Sequence, residues 1–295
     1  VGATVLGILG GSGLYSIEGL AGGRYEKVET PFGTPSDAIL VGDLAGTPIA
    51  FLPRHGRGHR IPPSEINYRA NVDALKRLGA TDLVALGACG SLREDLPPGT
   101  FVLVDQFVDR TVARVPSFFG TGCVAHVSLA RPVCARLGDL LEGSARARGI
   151  PVARGGTYLA IEGPQFSTRA ESELYRAWRC DVIGMTHLPE ARLAREAELC
   201  FASVAMVTDY DCWHDEHAAV EVADVVALLA ANAERARSLV AEAAGRLGPR
   251  PRPCPEGCDR ALDAAVLTAP EARDPSFLRR LDAVAGRVLG GRPGP

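Results

Sequence analysis

The chain has 295 residues, 46% of them hydrophobic and 23% charged, with a formal net charge of -3. That is enough apolar material for one large or two modest globular domains, and it lacks the basic footprint that nucleic acid or an anionic membrane would demand. No apolar run reaches bilayer-spanning length, and the apolar start from Val1 to Ile8 has neither a basic leader nor a cleavage signature, so a cytoplasmic location is expected.

Thr4 to Leu9 reads as a first strand that runs into Gly10-Gly11-Ser12-Gly13. Glycines allow a tight turn and let backbone N–H groups gather around an anion. A dinucleotide fingerprint would need glycine where Ser16 stands, and the Walker lysine is missing, so the loop suits a small anion or is simply a tight turn. After a turn at Ala45-Gly46, a strand over 47–52 ends in Pro53-Arg54-His55-Gly56-Arg57-Gly58-His59-Arg60. Arginine and histidine packed this densely suit a phosphate. Nucleic acid is the alternative, and the net acidity and lack of interleaved aromatics argue against it.

Ser64 is the expected cap of a helix that runs to Leu78 and stops at Gly79. A buried strand over 83–86 should break at Gly87-Ala88-Cys89-Gly90-Ser91, where small side chains let a flat ligand lie against the backbone. No base pairs with Cys89 in the sequence, so it reads as a small hydrophobe rather than a nucleophile. Next come a strand over 101–104, a long connection over 110–128, a helix over 132–148 and a strand over 157–161. Ser167 or Thr168 can cap a helix over 169–178, whose N-terminus offers N–H donors to an anion. A short strand over 181–184 reaches Met185-Thr186, and a helix over 189–198 follows.

The run from Phe201 to Val207 reads as a buried strand that turns abruptly polar at Asp209 and Asp211. Such a strand delivers its acids to the rim of a sheet, where open α/β folds bind ligands. The plain alternative is a pair of loop acids, with Asp211 as a helix cap. An Ala-rich helix is expected over 218–248, followed by alternating prolines over 249–253 and a final helix over 274–290. The domain reading is 1–248, with 249–295 as a tail.

The eight cysteines are scattered, and only Cys254 and Cys258 are close in sequence. One such pair cannot supply four zinc ligands. Cys212, His214 and His217 lack the zincin spacing, so no metal is expected, and the thiols should be reduced in a cytosol. Whether Cys134 pairs with Cys200, or Cys254 with Cys258, stays open.

Strands alternate with helices, so the expected fold class is α/β: a three-layer α/β/α single domain around a mixed, mostly parallel twisted sheet. Polar clusters fall at several strand ends, which favours the ligand reading of Asp209 and Asp211.

Taken together, the segments resemble the methylthioadenosine phosphorylases of the trimeric purine nucleoside phosphorylase family. The resemblance rests on Gly10 to Leu14, Thr30 to Gly33 with Pro35 to Asp37, Arg54 to Arg57 with His59, Ala88 to Arg93, Asp105 to Phe107, Ile161 to Pro164, Phe166-Ser167, Arg169 to Glu171, Met185-Thr186 and Thr208 to Trp213. It implies phosphorolysis of 5'-methylthioadenosine, with inorganic phosphate as co-substrate and no cofactor. Phosphate would be held by Ser12, Arg54, His55, Ser167 and Thr186. The purine would meet Ala88, Cys89, Phe166, Asp209 and Asp211, with Asp209 and His55 the catalytic pair. Met185 would lie beside the ribose, and His59, Val222 and Val226 at the methylthio end. His126 matches a residue lent to a neighbouring protomer, which implies a homotrimer or a dimer of trimers. Family members often carry Thr where Ser12 stands, and also where Gly87 stands; the hydroxyl is kept at the first position and lost at the second.

The chemistry fits these groups. A bound phosphate stabilises positive charge developing on the sugar and then attacks C1', with proximity supplying several kcal/mol. Being anionic already, the nucleophile needs no metal. Asp209, with its pKa raised by an apolar setting, would donate to purine N7 and accept from the 6-amino group. The rivals are a phosphorylase for adenosine or 6-oxopurine nucleosides, a hydrolytic nucleosidase, and a non-catalytic purine-binding module.

Overall fold

The computed structural model describes residues 4–17, 19–214 and 222–290 and, over 222–226, the backbone alone. Eleven strands form one sheet. The first half contributes β1 (Val5–Gly10), β2 (Ala21–Glu26), β3 (Ile39–Leu44), β4 (Thr47–Pro53) and β5 (Ala80–Ser91). The second half adds β6 (Phe101–Val104), β7 (Gln106–Arg110), β8 (Val152–Arg154), β9 (Thr157–Ile161), β10 (Val182–Gly184) and β11 (Cys200–Asp209). Between and after them lie α1 (Tyr68–Arg77), α2 (Ala135–Ala147), α3 (Arg169–Ala177), α4 (His187–Glu196), α5 (Val222–Arg246), α6 (Pro275–Arg280) and α7 (Asp282–Leu289).

β5 is the axis. It pairs in parallel with β1 and β11, and its last residues, Gly90 and Ser91, pair antiparallel with β10. β1–β4, β9–β10, β7–β9 and β6–β8 are also parallel, while β2–β3, β3–β4 and β6–β11 are antiparallel. The sheet is therefore mixed and mostly parallel, as expected. Successive side chains of a strand face opposite sides. Leu83, Ala85, Phe201, Ala205 and Val207 accordingly join one core with α1, α4 and α7. Val84, Leu86, Ala202, Val204 and Met206 join the other with α2 and α5. Helices on both faces make the three layers.

Several local expectations change. Ser64 caps nothing: Asn67 caps α1, its Oδ1 accepting from the Ala70 N–H, while the Ser64 hydroxyl donates to Glu162. β5 does not break at Gly87 but continues to Ser91, because β10 and β11 supply backbone partners along the glycine-rich stretch. β2, β3 and β8 carry too little apolar alternation to stand out in the sequence. Thr168 caps α3 in a full capping box with Glu171.

The chain over 249–290 packs on the rest. Leu262, Leu281, Val284 and Ala285 enter the α1–α4 core, and Cys254 and Cys258 the α2–α5 core. Arg287 grips Glu198, and Arg77 bridges Asp73 to Asp282. Leu281 is fully buried, so Leu281→Ala should cost about 2–4 kcal/mol of stability, read by urea unfolding. A loss below about 1 kcal/mol would mean that the tail unfolds separately from the sheet.

Candidate active site

A cavity of about 290 Å³ opens where β1, β4, β5, β10 and β11 end. Of the expected phosphate ligands, Ser12, Arg54, His55, Ser167 and Thr186 all line it. So do Ala88, Cys89, Phe166, Asp209 and Asp211 of the expected purine set, and His59 and Met185 of the sugar set. Val222 and Val226 belong to α5, but their side chains lie outside the described residues, as does His217. His126 is exposed, does not line this chain's cavity, and its N–H donates to Ala265 O at 2.8 Å.

Arg54 directly follows β4 and is completely buried. Its Nε and Nη2 make a two-pronged contact with Glu190, its Nη1 donates to Leu86 O at 3.0 Å, and Nη2 also approaches Leu9 O at 3.4 Å. Burial works against the guanidinium charge, and the Glu190 carboxylate more than restores it. Of the five N–H groups, one on Nη1 stays uncommitted among the described residues. Gly11 lets the loop settle over that nitrogen, since a Cβ there would stand 2.9 Å from Nη1. The cationic cluster is thus smaller than the sequence suggests. Arg57 pairs with Asp37, and Arg60 donates to Ser36 O, both away from the cavity.

His55 is neutral. Burial, and then the Arg54 charge, push its pKa down to about 4. Its Nδ1 lies 2.9 Å from Ile61 O, which can only accept, so Nδ1 carries the proton and Nε2 offers a lone pair. His59 stacks on it at 4.2 Å between centroids, and Tyr15 OH lies 3.0 Å from His59 Nδ1. The Ser167 hydroxyl is buried without a hydrogen-bond partner among the described residues. Thr186 heads α4 but makes no capping bond, so its hydroxyl stays available.

At the other end, Asp209 Oδ2 accepts from the Thr208 hydroxyl at 2.7 Å and Oδ1 from the Asp211 N–H at 2.8 Å. Asp211 sits at φ 53°, in the left-handed region where a non-glycine residue is strained. Burial, with the Asp209 charge adding to it, pushes the Asp211 carboxyl up. Gly90 lies against both acids: a Cβ would come within 3.0 Å of Asp209 Oδ1 and 3.2 Å of Asp211 Cβ. Cys89 is buried, and that burial raises its thiol pKa well above the usual range, away from a nucleophilic thiolate. Phe166 stands at the mouth, 85% exposed.

Three contributors, Glu190, Arg114 and His187, fall in no sequence motif, and a fourth, Glu162, lies in the Ile161 to Pro164 motif without an assigned role. Glu190 holds Arg54. Arg114, from the long connection, donates to the carbonyls of Met185 and Leu188 and so positions the sugar and phosphate residues. Glu162 receives Ser64, Arg114 and the N–H groups of Val112 and Ala113. Burial opposes its charge, yet the bonds from Ser64 and the two amides hold it down at about 2. His187 is buried, its Nδ1 is 2.6 Å from the Ser203 hydroxyl, and its Nε2 has no partner. A Cβ at Gly87 would meet that Nε2 at 2.7 Å, so the imidazole occupies the space a threonine would need.

With this geometry in view, comparison with known proteins is direct. A family model described as the phosphorylase superfamily matches residues 5–244. The chain belongs to the phosphorylase superfamily. Within it, the chain is 62% identical to the S-methyl-5'-thioadenosine phosphorylase of Cereibacter sphaeroides, covering 98% of this chain and 99% of that one. Identity to the Rhodospirillum rubrum protein of the same name is 60%, over 97% of both chains. A methylthioadenosine phosphorylase from an Antarctic soil metagenomic library superposes with a TM-score of 0.89 at 44% identity, covering 96% of this chain and 99% of that one. A Ser12→Thr mutant of the Schistosoma mansoni adenosine/methylthioadenosine phosphorylase, solved with methylthioadenosine, superposes at 0.78 with 40% identity, covering 84% and 93%.

Two outcomes test the electrostatics of this phosphorylase-superfamily site. Glu190→Gln leaves Arg54 buried with its charge unpaired, so stability should fall by about 3–5 kcal/mol. Added phosphate should then raise Tm more in the variant than in the parent; equal shifts would place the anion elsewhere. For His55 the unfolded pKa is about 6.5 and the folded value about 4, so the unfolded chain binds more protons between them. Stability from His55 is therefore complete above pH 6.5 and is lost as pH falls towards 4, by up to about 3 kcal/mol. His55→Gln should flatten the stability profile in that window. Glu196, pushed up to about 7 by burial, slopes the other way but is common to both proteins and cancels.

Proposed function

We infer that the chain catalyses phosphorolysis of 5'-methylthioadenosine to adenine and 5-methylthioribose 1-phosphate, a pentosyl transfer. The observation that carries this reading is the single cavity that faces Arg54, His55 and Thr186 at one end and Asp209 and Asp211 at the other. It is supported by the name borne by relatives more than 60% identical and by a related structure that holds methylthioadenosine.

The residues divide the work as follows. The free Nη1 hydrogen of Arg54, the hydroxyls of Ser12, Ser167 and Thr186, and the lone pair of His55 Nε2 receive phosphate. A neutral His55 with its Nδ1 proton committed to Ile61 accepts the P–OH of monohydrogen phosphate and turns an unprotonated oxygen towards C1'. The net charge of the Arg54–Glu190 pair is zero, so the dianion keeps its own charge, which stabilises the developing oxocarbenium. The purine lies on the small residues Ala88 to Gly90, with its N7 and amino edge at Asp209. A proton shared between Asp209 and N7 eases departure of the base, and the second carboxylate oxygen accepts from the amino group. The Asp211 N–H orients Asp209.

This reading carries three companions. No cofactor is used in catalysis, phosphate being a co-substrate. The chain works as a homotrimer, with His126 of one protomer covering the mouth at which Phe166 stands exposed in its neighbour. It resides in the cytoplasm; among the described residues no helix is long and apolar enough to cross a membrane.

Methylthioadenosine, adenosine and inosine, each with and without phosphate, separate the alternatives. Release of adenine from methylthioadenosine should need phosphate and exceed release of base from the other two. Release without phosphate would indicate a hydrolase, and binding without release a non-catalytic module. Asp209→Asn should lower kcat/KM for methylthioadenosine by about 10²-fold or more and shift relative preference towards inosine. An unchanged preference would remove Asp209 from the purine edge.

A further inference from the structure

The fold gathers four cysteines that the sequence scatters. Cys134 stands at the N-cap of α2, Cys200 opens β11, and Cys254 and Cys258 lie in the segment after α5. Their sulfur atoms all lie within 4.8 Å of one another, with Cys200 to Cys254 at 3.6 Å and Cys134 to Cys254 at 4.0 Å. All four are buried, at 0%, 0%, 3% and 1% exposure. Only Cys254 and Cys258 are close in sequence; the fold brings Cys134 and Cys200 to them from distant segments.

The spacing discriminates among uses of four thiols. A tetrahedral zinc with Zn–S bonds of about 2.3 Å sets its sulfurs about 3.8 Å apart, a value that the two distances above bracket. A disulfide needs about 2.05 Å. A multi-iron cluster must fit its own inorganic sulfides between the thiolates, and this pocket is too tight for that. Simple apolar packing is the commonest use of one buried cysteine, but it does not explain the charges at the edge. Arg250, 8% exposed, brings Nη1 to 3.8 Å from Cys200 Sγ, and Arg136 also reaches Cys200. Each guanidinium has a carboxylate on its outer side, Asp259 for Arg250 and Asp82 for Arg136, while the Nε of both is buried without a partner. Four thiolates around a dication carry two net negative charges, and guanidinium N–H donors at the edge suit charged thiolate sulfur better than neutral thiols.

We propose that Cys134, Cys200, Cys254 and Cys258 ligate one structural zinc ion that fastens the C-terminal segment to α2 and the start of β11. Gly257 at φ 66° and its N–H bond to Cys254 O at 2.8 Å close the turn that presents the two tail sulfurs to one side. Binding displaces the four S–H protons to solvent. With four protein ligands and no open position, the ion has no role in catalysis. It also lies at the opposite end of β11 from Asp209, about 30 Å away at the strand's rise per residue.

The full-length chain, purified under reducing conditions without chelator or added metal, should contain about one zinc per chain by mass spectrometry of the elements. Titration of the thiols with an organomercurial should release it, and cobalt substitution should give the visible spectrum of a tetrahedral tetrathiolate. Cys258→Ser should lose its zinc on dialysis against a chelator that the parent withstands and should inactivate faster on heating, while keeping phosphorolysis at 25 °C. Cys212→Ser, outside the cluster, should keep its zinc. The proposal fails if the purified parent holds less than about a tenth of an equivalent and takes up none on incubation with Zn²⁺. It fails equally if the intact mass is about 4 Da low, the loss of four hydrogens to two disulfides, or if iron occupies the site instead.

Discussion

The buried pair of Arg54 and Glu190 holds the parts of the site in register. Arg54 leaves the end of β4, bonds the carbonyls of Leu9 and Leu86 on β1 and β5, and meets Glu190 on α4. Four elements are thus tied at one guanidinium, at the point where anion and sugar must be placed. A buried ion pair is a poor source of net stability, because desolvation offsets most of the attraction. Its value here is geometric: the planar fork permits one arrangement of three strands and a helix. Its charge balance also spares the neutral His55 from a stronger cationic field and leaves the phosphate dianion uncompensated enough to act on C1'.

The fold class was legible because its signals are local. The apolar runs over 83–86 and 201–207 announce buried strands, and helical patterns between strands announce the layers. Ser12, Arg54, His55, Met185, Thr186, Asp209 and Asp211 were legible for the same reason, since each follows a strand and strands bring their ends to one rim. What escaped was pairing at a distance. Glu190 acts only through Arg54, 136 positions away in the chain, and no motif joins them. One signal was available: Glu190 shares a helical stripe with Leu193, Ala194 and Ala197, all buried, and a charge on an apolar stripe needs a partner. Arg114 offered none, because a long loop gives no periodicity from which to read an inward side chain, and Glu162 stood in the Ile161 to Pro164 motif with nothing to show its partners.

The C-terminal segment shows the same limit from the other side. Its prolines and scattered charges do not show whether it packs, yet it contributes Leu281, Val284 and Ala285 to one core and Cys254 and Cys258 to the other. Packing of this kind depends on receiving surfaces built by α1, α2 and α4, so the segment's own pattern carries little of it. The cysteine cluster is the clearest case: two of its members lie within α2's cap and β11's first residue, where each alone reads as filler.

The contact between Gly87 and His187 has a consequence for substitution. The imidazole fills the space beside a bare Cα, so a side chain at 87 requires that ring to move or to be replaced by something smaller. The two positions are therefore energetically coupled, and the cost of a side chain at 87 depends on what stands at 187.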